Sequence, residues 1–325
     1  MISFALRRLL QSIAVLFVMS ALVFAGVYAI GDPVAILINP QADQAEIAAA
    51  TRALGLDQPL WQQYWNFIVG AFAGDLGKSF SANIPAVQLI FERMPATLEL
   101  ALAATVIAVA LGIPLGLVAG LKPDSWVGRT IMAGSILGFS LPTFWVGLML
   151  IMVFSVWLGW LPPTGRGETV AILGVPVSFL TRDGLLHLLM PALNLALFKL
   201  SLLIRLTRAG TREALAQDYV RFARAKGLSM ERVVRVHVLK NIMIPIVTVT
   251  GLEFGSVIAF AIVTETIFAW PGMGKLLIDS INVLDRPVIV AYLLIIVLLF
   301  VLINLVVDLA YTALDPRVRL SGRSA

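Results

Sequence analysis

The chain has no cysteine and only two histidines among its 325 residues. Without Cys, disulfide bonds, zinc–thiolate sites and thiol nucleophiles are all excluded. Charged residues are also scarce: they make up 13% of the chain, whereas a soluble domain averages about 25%. Because 59% of the residues are hydrophobic, the chain lacks the polar surface to cover itself in water. The composition predicts an integral membrane protein.

Several charge-free stretches are long enough to cross a bilayer, since about 20 helical residues span its hydrocarbon core. Four such runs occur, at 9–31, 100–121, 130–165 and 287–307. The third is too long for one helix, and Pro162, Pro163 and Gly165 predict that it stops early, leaving a span near 131–160. The run from Leu9 to Ile30 is long enough to be a retained span rather than a removed signal.

Two less regular runs complete the predicted set of spans. Residues 185–204 are largely apolar, and Pro191 predicts a kink within them. Residues 242–268 form the other run and carry Glu253 and Glu265. The sequence therefore predicts an all-α membrane protein with six transmembrane helices.

The distribution of basic residues predicts the orientation. Sixteen of the 24 Lys and Arg residues fall on the side that carries both termini, seven fall on the other side, and Lys199 lies within a span. Basic residues accumulate on cytoplasmic loops. We therefore expect cytoplasmic N- and C-termini, and the same rule accounts for the net charge of +5 without nucleic acid as a partner.

The predicted spans divide the chain into three parts. Residues 1–30 hold the cytoplasmic N-terminus and first span, 31–95 form an external segment, and 96–325 form a five-helix core that includes a cytoplasmic loop at 205–241. The external segment is expected to contain helices lying at the membrane interface, because it carries five aromatic residues among polar ones: Trp61, Tyr64, Trp65, Phe67 and Phe72.

The external segment also contains GDLGKS at 74–79, which ends like a phosphate-binding loop. Such a loop requires a glycine five residues before Gly77, and that position is Phe72. The sequence therefore predicts no nucleotide site here.

The most polar stretch of the chain is YVRFARAKGLSMERVVRVHVLKN, residues 219–241. From Arg212 to Lys226, apolar residues at 215, 219 and 222/223 share one face of a predicted helix. Gly227 is suited to end that helix, and Ser229 to begin the next one. The predicted helical hairpin fits an amphipathic surface for anionic lipid or a rigid knob for another protein. A DNA-binding role is disfavoured, because the flanking spans tether the segment to the bilayer.

Small and charged residues within the spans are candidates for packing and transport. Gly112, Gly116 and Gly120 recur every four residues and predict close helix packing, within this subunit rather than against a partner. Charges at membrane depth are costly and are functional candidates by default. Three such candidates for a transport path are Lys199, Glu253 and Glu265.

For two of these charges a structural role is an equal alternative. Glu253 could line the path or form an ion pair with Lys199, and Glu265, near the outer end of its span, is expected to be partly solvated. The sequence shows no catalytic constellation. His187 and His237 fall on opposite sides of the membrane, so no metal site is expected.

Several segments, in order along the chain, resemble the permease subunits of bacterial ABC importers in the dipeptide, oligopeptide and nickel branch. These are RRLL at 7–10, GDP at 31–33, GLDQP at 55–59, GDLG at 74–77, PATLEL at 95–100, DYVRFARAKGL at 218–228, TETIFAWPGMG at 264–274 and NLVVDLAY at 304–311. The loop motif departs from the general importer pattern, because Arg221 and Phe222 stand where that pattern has Glu and Ala.

The resemblance implies a type I importer permease whose cytoplasmic hairpin carries a coupling helix. That helix would dock in a groove of an ATPase subunit, with Arg221, Arg224 and Lys226 pairing with acidic residues and Tyr219 and Phe222 filling the apolar floor. The matched residues Ala223 and Gly227 belong to the same coupling segment. This chain would hold no cofactor itself, since ATP and Mg would be bound by the ATPase subunits.

The resemblance also implies the assembly and its cargo. The partners would be a second homologous permease, two ATPase subunits, an external solute-binding protein and membrane lipid, without nucleic acid. The protein would be a non-enzymatic pore subunit in the bacterial inner membrane that imports dipeptides or short oligopeptides. Alternatives are the import of nickel complexes or glutathione on the same scaffold, or a proton-coupled secondary transporter that uses Glu253 and Glu265.

Overall fold

The structure, a computed structural model, describes residues 2–28, 43–53 and 55–314. The motif at 31–33 and the basic C-terminus at 317–323 lie outside the described residues. Within them the chain is mainly helical. The helices are α1 (Ile2–Tyr28), α2 (Gln44–Ala53), α3 (Leu60–Phe72), α4 (Ala86–Leu121), α5 (Trp126–Ser140), α6 (Thr143–Trp157), α7 (Arg182–Ala216), α8 (Asp218–Ala225), α9 (Met230–Ile267), α10 (Met273–Asn282) and α11 (Arg286–Leu314). Strands β1 (Val170–Ile172) and β2 (Val175–Val177) form one antiparallel hairpin.

Among the described residues, four helices are long and apolar enough to cross a membrane: α4, α7, α9 and α11. The bent pair α5–α6 makes a fifth candidate if it counts as one span. In α1, the described apolar stretch is shorter, at Ile13–Gly26. The predicted multi-span helical architecture is confirmed, and the count of six spans stays a prediction.

The predicted span near 131–160 is interrupted. Helix α5 ends at Ser140, α6 begins at Thr143, and their axes differ by 106°. The cause is Pro142, which disfavours helical geometry in the residue before it; Leu141 is extended, with ψ 134°. Our prediction placed the breaking prolines only at 162 and 163, and missed this earlier one.

The described residues within 1–97 and 271–301 form one compact unit of the chain. In it, Tyr64 of α3 packs edge-on against Phe24 of α1, and its hydroxyl lies 2.9 Å from Ser20 Oγ. Trp61 and Trp65, one helical turn apart on α3, are exposed. An exposed aromatic face fits the interfacial position that the sequence predicts for this helix.

The described residues within 98–270 and 302–314 form the second unit. Its helix pairs include α7 with α9 and α5 with α7. Helix α7 is capped by Thr181, whose hydroxyl accepts a hydrogen bond from Gly184 N at 2.9 Å and so satisfies one free backbone donor.

The three predicted packing glycines of α4 lie against α7. A Cβ added to Gly112, Gly116 or Gly120 would approach Leu203, Thr207 and Thr211 respectively, at 2.8, 2.6 and 2.7 Å. Both series advance by four residues, so the two helices run parallel in register. The small residues allow the backbones to approach more closely than any side chain would permit.

We expect Gly116→Ala to destabilise the protein, because its methyl group would lie 2.6 Å from Thr207 Cβ and 2.8 Å from the Ile204 carbonyl oxygen. Overpacking of this kind costs about 1–3 kcal/mol. The measurement is the melting temperature of the detergent-purified protein.

Gly134→Ala is the matched control, because nothing lies within 4 Å of the added Cβ and Ala is the better helix former. Its melting temperature should stay equal or rise. If Gly116→Ala melts no lower than this control, the close approach of α4 and α7 is not needed for stability.

Candidate functional site

The basic hairpin begins with a break in the chain rather than with one continuous helix. Helix α7 ends at Ala216, Gln217 is extended with ψ 149°, and α8 starts at Asp218. Our prediction of one helix from Arg212 to Lys226 is therefore wrong at this point. Asp218 occupies the first turn of α8, where its negative charge is favoured by the helix dipole.

Helix α8 buries a narrower face than the apolar spacing predicts. Val220 and Ala223 are buried, whereas Phe222 is 63% exposed and Tyr219 is 39% exposed. The break at Gln217 allows α8 to leave the direction of α7, so that other positions face the protein. Two large aromatic side chains are thereby left on the surface.

Cationic side chains of α8 and of Lys226, the residue that follows it, lie around this exposed aromatic surface. Arg221 and Arg224 are exposed, and Lys226 Nζ lies 4.5 Å from the centre of the Phe222 ring. The Arg221 guanidinium lies 3.4 Å from the Asp218 carboxylate, and both side chains are largely exposed. We call the surface formed by Tyr219, Arg221, Phe222, Arg224 and Lys226 the basic–aromatic patch.

The turn after α8 has the geometry that the sequence predicts. Gly227 has φ +83°, and its N–H donates to the Arg224 carbonyl at 2.9 Å. The Leu228 N–H donates to the Ala223 carbonyl at 3.3 Å, which completes a Schellman motif. Ser229 Oγ accepts from Arg232 N and caps the next helix, as predicted.

A side-chain contact joins the two arms of the hairpin. Asn241 of α9 donates a hydrogen bond to the Tyr219 hydroxyl at 2.8 Å. Together with the buried Val220 and Ala223, this contact holds α8 against α9. Helix α9 then continues without a break to Ile267, with Pro245 inside it and a π-helical segment at Val234–Val238.

Two of the predicted intramembrane charges meet. Lys199 of α7 donates to Glu253 Oε2 of α9 and forms an ion pair with it. The pair is not sealed off: 34% of the Glu253 side chain and 14% of the Lys199 side chain remain exposed. The geometry thus contains both predicted features, an ion pair and accessible carboxylate surface.

The third predicted charge lies apart from this pair. Glu265 is 0% exposed, so our expectation that it is partly solvated is wrong. Its neighbour Thr264 is also buried and accepts a hydrogen bond from Asn194 of α7 at 3.0 Å. Glu265 is more buried than its position near the end of a span suggests, because α7 packs along this part of α9.

Sequence reasoning missed a buried carboxylate in α4. Glu99 accepts hydrogen bonds from Arg166 Nε and Nη2 at 3.0 and 2.6 Å. It also accepts from Ser178 N, Ser178 Oγ and Phe179 N at 2.7–2.9 Å. Because Arg166 also donates to the Pro176 carbonyl, this one carboxylate fastens strand β2 and the residues that follow it to α4.

A second missed carboxylate organises the turn that resembles a phosphate loop. Asp285 is buried and accepts hydrogen bonds from Ser79 Oγ at 2.5 Å, Phe80 N at 3.0 Å, and Ser81 N and Oγ at 3.2 and 2.8 Å. Gly77, with φ +90°, packs against Pro287. The GDLGKS segment is thus the start of a turn wrapped around a carboxylate.

Comparison with known proteins identifies the family of this chain. Residues 112–320 match the family described as the inner membrane component of binding-protein-dependent transport systems, and residues 1–101 match its N-terminal family. The chain belongs to this transport family. The family description and the long apolar helices together make it a multi-pass protein of an inner membrane.

Curated relatives match this chain over nearly its whole length. The dipeptide transport system permease DppB of Escherichia coli K12 is 40% identical over 338 residues, covering 98% of this chain and 99% of the relative. The di/tripeptide permease DppB of Pseudomonas aeruginosa UCBPP-PA14 is 42% identical over 333 residues, with the same coverage. The glutathione permease GsiC of E. coli K12 is 41% identical over 320 residues, again covering 98% and 99%.

A solved structure shares the fold. The MetNI methionine ABC transporter, in an inward-facing conformation, matches with a TM-score of 0.53 and 15% sequence identity. The match covers 70% of this chain and 97% of the other. At this identity the likeness concerns the fold alone, and it supports the predicted importer permease architecture.

We expect Glu99→Ala to release the loop between α6 and α7. Removing one member of a buried, hydrogen-bonded ion pair leaves the other charge and several N–H groups without acceptors, at a cost of about 3–5 kcal/mol. Hydrogen–deuterium exchange at the Ser178 and Phe179 amides should accelerate by at least about tenfold.

The control is Glu168→Ala, which removes an exposed carboxylate from the same loop. Its amide exchange at Ser178 and Phe179 should match the wild type. Unchanged protection in Glu99→Ala would contradict the role of this carboxylate in fastening the loop.

Proposed function

We propose that this chain is the permease subunit of an ATP-driven ABC importer that carries dipeptides or short oligopeptides into the cytoplasm. The supporting observation is end-to-end similarity to dipeptide and di/tripeptide permeases, together with a rigid, exposed basic–aromatic patch between two membrane helices. The chain is not the enzyme of the system; separate ATPase subunits bind ATP and Mg and hydrolyse the nucleotide.

The basic–aromatic patch is the coupling surface. Phe222 and Tyr219 supply apolar area for an ATPase groove, and Arg221, Arg224 and Lys226 pair with acidic residues at its rim. Helix α8 is held by the buried Val220 and Ala223 and by the hydrogen bond from Asn241 to the Tyr219 hydroxyl, so Tyr219 belongs both to the anchor and to the patch. The exposed side chains of Arg221, Phe222 and Arg224 can meet a partner without weakening the hairpin.

Movement of the docked hairpin reaches the membrane through α9. The helix continues from the turn through the position of Glu253, so a displacement of α8 is transmitted as a rigid-body shift. Closure of the ATPase dimer would push this hairpin and rock the spans between inward- and outward-open arrangements.

The complete importer contains further chains. A second homologous permease forms the other half of the passage, two ATPase subunits supply the energy, and an external solute-binding protein delivers the peptide. The exposed apolar surfaces of the spans contact membrane lipid and the second permease. No nucleic acid takes part, because the basic hairpin is tethered at the membrane.

The proposed path runs past the exposed side of the Lys199–Glu253 pair. Glu265 was predicted to share it, but full burial in this chain gives that residue no exposed surface from which to contact a solute. The path proposal therefore depends on the first two charges.

Glutathione is the second candidate cargo, because the glutathione permease GsiC is as similar to this chain as the dipeptide permeases are. Glutathione is itself a short peptide, so the two cargoes require the same kind of passage. Competition between dipeptides and glutathione for uptake in the reconstituted importer distinguishes them.

We expect Gly227→Val to impair docking of the ATPase subunits. Gly227 has φ +83° with nothing within 4 Å of an added Cβ, so the defect would come from backbone strain rather than a clash. The measurements are the yield of ATPase subunits that co-purify with this chain and peptide-stimulated ATP hydrolysis. Both should fall several-fold, while membrane insertion is retained.

Gly174→Val is the matched control: it has the same φ of +83° and equally open surroundings, but lies in the β1–β2 turn. Its ATPase yield should remain normal. Normal docking by Gly227→Val would refute the coupling role, and peptide uptake by this chain alone under a proton gradient would favour a secondary transporter.

The absence of native Cys allows a direct test of the proposed orientation, with the termini and hairpin in the cytoplasm. We expect a membrane-impermeant maleimide to label Leu173→Cys in intact cells, since Leu173 is 100% exposed in the outer loop. Arg235→Cys, exposed in the hairpin arm but outside the patch, should react only after permeabilisation.

The reverse labelling pattern, with Arg235→Cys reactive from outside, would invert the topology. The coupling proposal would fall with it, because an external hairpin has no access to cytoplasmic ATPases. The Cys-free wild type is the blank for both measurements.

A further inference from the structure

The Lys199–Glu253 pair lies within the membrane-spanning part of the second unit. Lys199 falls in the apolar run 185–204 of α7 and Glu253 in the run 242–268 of α9, so both residues lie inside helices that are long and apolar enough to cross a membrane. Charges at this depth do not face lipid, because hydrocarbon offers no compensating solvation. The exposed third of the Glu253 side chain must therefore face a polar passage or another chain.

Glu253 is also bonded sparsely for a carboxylate that only stabilises a fold. In the described part of the chain, its hydrogen-bond donor is Lys199. Glu99 and Asp285, by contrast, each accept four or more hydrogen bonds and are nearly inaccessible. Glu253 thus retains the capacity to accept a further donor.

The recess beside the pair is too small to be the binding site itself. Its volume is about 10 Å³, enough for roughly one water molecule. The hydroxyls of Thr105 and Thr250, which line it, already donate to backbone carbonyls at 2.8 and 2.7 Å. A solute therefore contacts the pair from the exposed side of Glu253. The charged groups that it meets there are Lys199 and Glu253 themselves.

We propose that this ion pair selects zwitterionic cargo by exchange of partners. As a peptide with free termini passes, Glu253 takes its α-ammonium group and Lys199 its α-carboxylate, so both charges stay paired throughout. A peptide with one blocked terminus leaves one protein charge uncompensated, which is strongly unfavourable at membrane depth. The inference rests on the proposed function and names the chemical feature of the cargo that this subunit reads.

The test uses the complete importer in liposomes with dialanine, N-acetyl-dialanine and dialanine amide. Each peptide is supplied at a concentration that gives equal occupancy of the solute-binding protein. We expect wild type to prefer dialanine. Glu253→Gln should shift relative uptake at least about tenfold toward N-acetyl-dialanine, because Lys199 then remains as the sole charge.

Lys199→Gln should shift preference in the opposite sense, toward dialanine amide. The double variant Lys199→Gln/Glu253→Gln has no unpaired charge and should transport all three peptides with little discrimination. If either single variant fails to assemble, the double variant decides the question. Its retention of the wild-type preference would overturn the proposal.

Lys275→Gln/Asp279→Asn removes a partly exposed ion pair in α10 and should keep the wild-type order. Equal loss of all three peptides in both single variants would show that the Lys199–Glu253 pair is structural. That outcome differs from failure of the proposed function, in which the wild-type complex with ATP would transport none of the peptides.

Discussion

The absence of water from the hydrocarbon core is the constraint on which this structure depends. A polar group there must find its partner inside the protein, so the backbone forms long helices and each embedded charge seeks an opposite one. The glycine series of α4 follows from the same constraint. Where apolar surface gains little by leaving lipid, close backbone approach supplies the packing that holds α4 to α7.

The same constraint explains how much of the fold could be predicted. Apolar run length located the spans of α4, α7, α9 and α11, because bilayer thickness sets a minimum that few other features imitate. It gave their ends poorly: α4 begins at Ala86, well before the predicted 100, and α7 continues to Ala216. Hydropathy indicates which residues can lie in the lipid, and these helices extend beyond those residues.

Local chemistry was predictable and distant chemistry was not. The turn at Gly227 and the cap at Ser229 follow from conformational preferences of single residues, so the sequence located both. The donors to Glu99 come from residues 67 to 80 positions away, and those to Asp285 from about 205. No spacing rule connects such positions; the only hint was an acidic residue in otherwise apolar surroundings. Gln217 gave no warning of the break it introduces, since glutamine is an ordinary helix residue.

Because α9 is one continuous helix, the position at which it starts determines the direction in which its side chains inside the membrane point. The turn at Gly227 fixes where the helix starts, and Glu253 lies more than six helical turns further on. Adding one residue between them would rotate the carboxylate by about 100° about the helix axis, away from Lys199. A glycine at the surface thus sets the direction in which Glu253 points from the helix axis. Insertions or deletions between the two residues keep that direction only if they add or remove nearly whole helical turns.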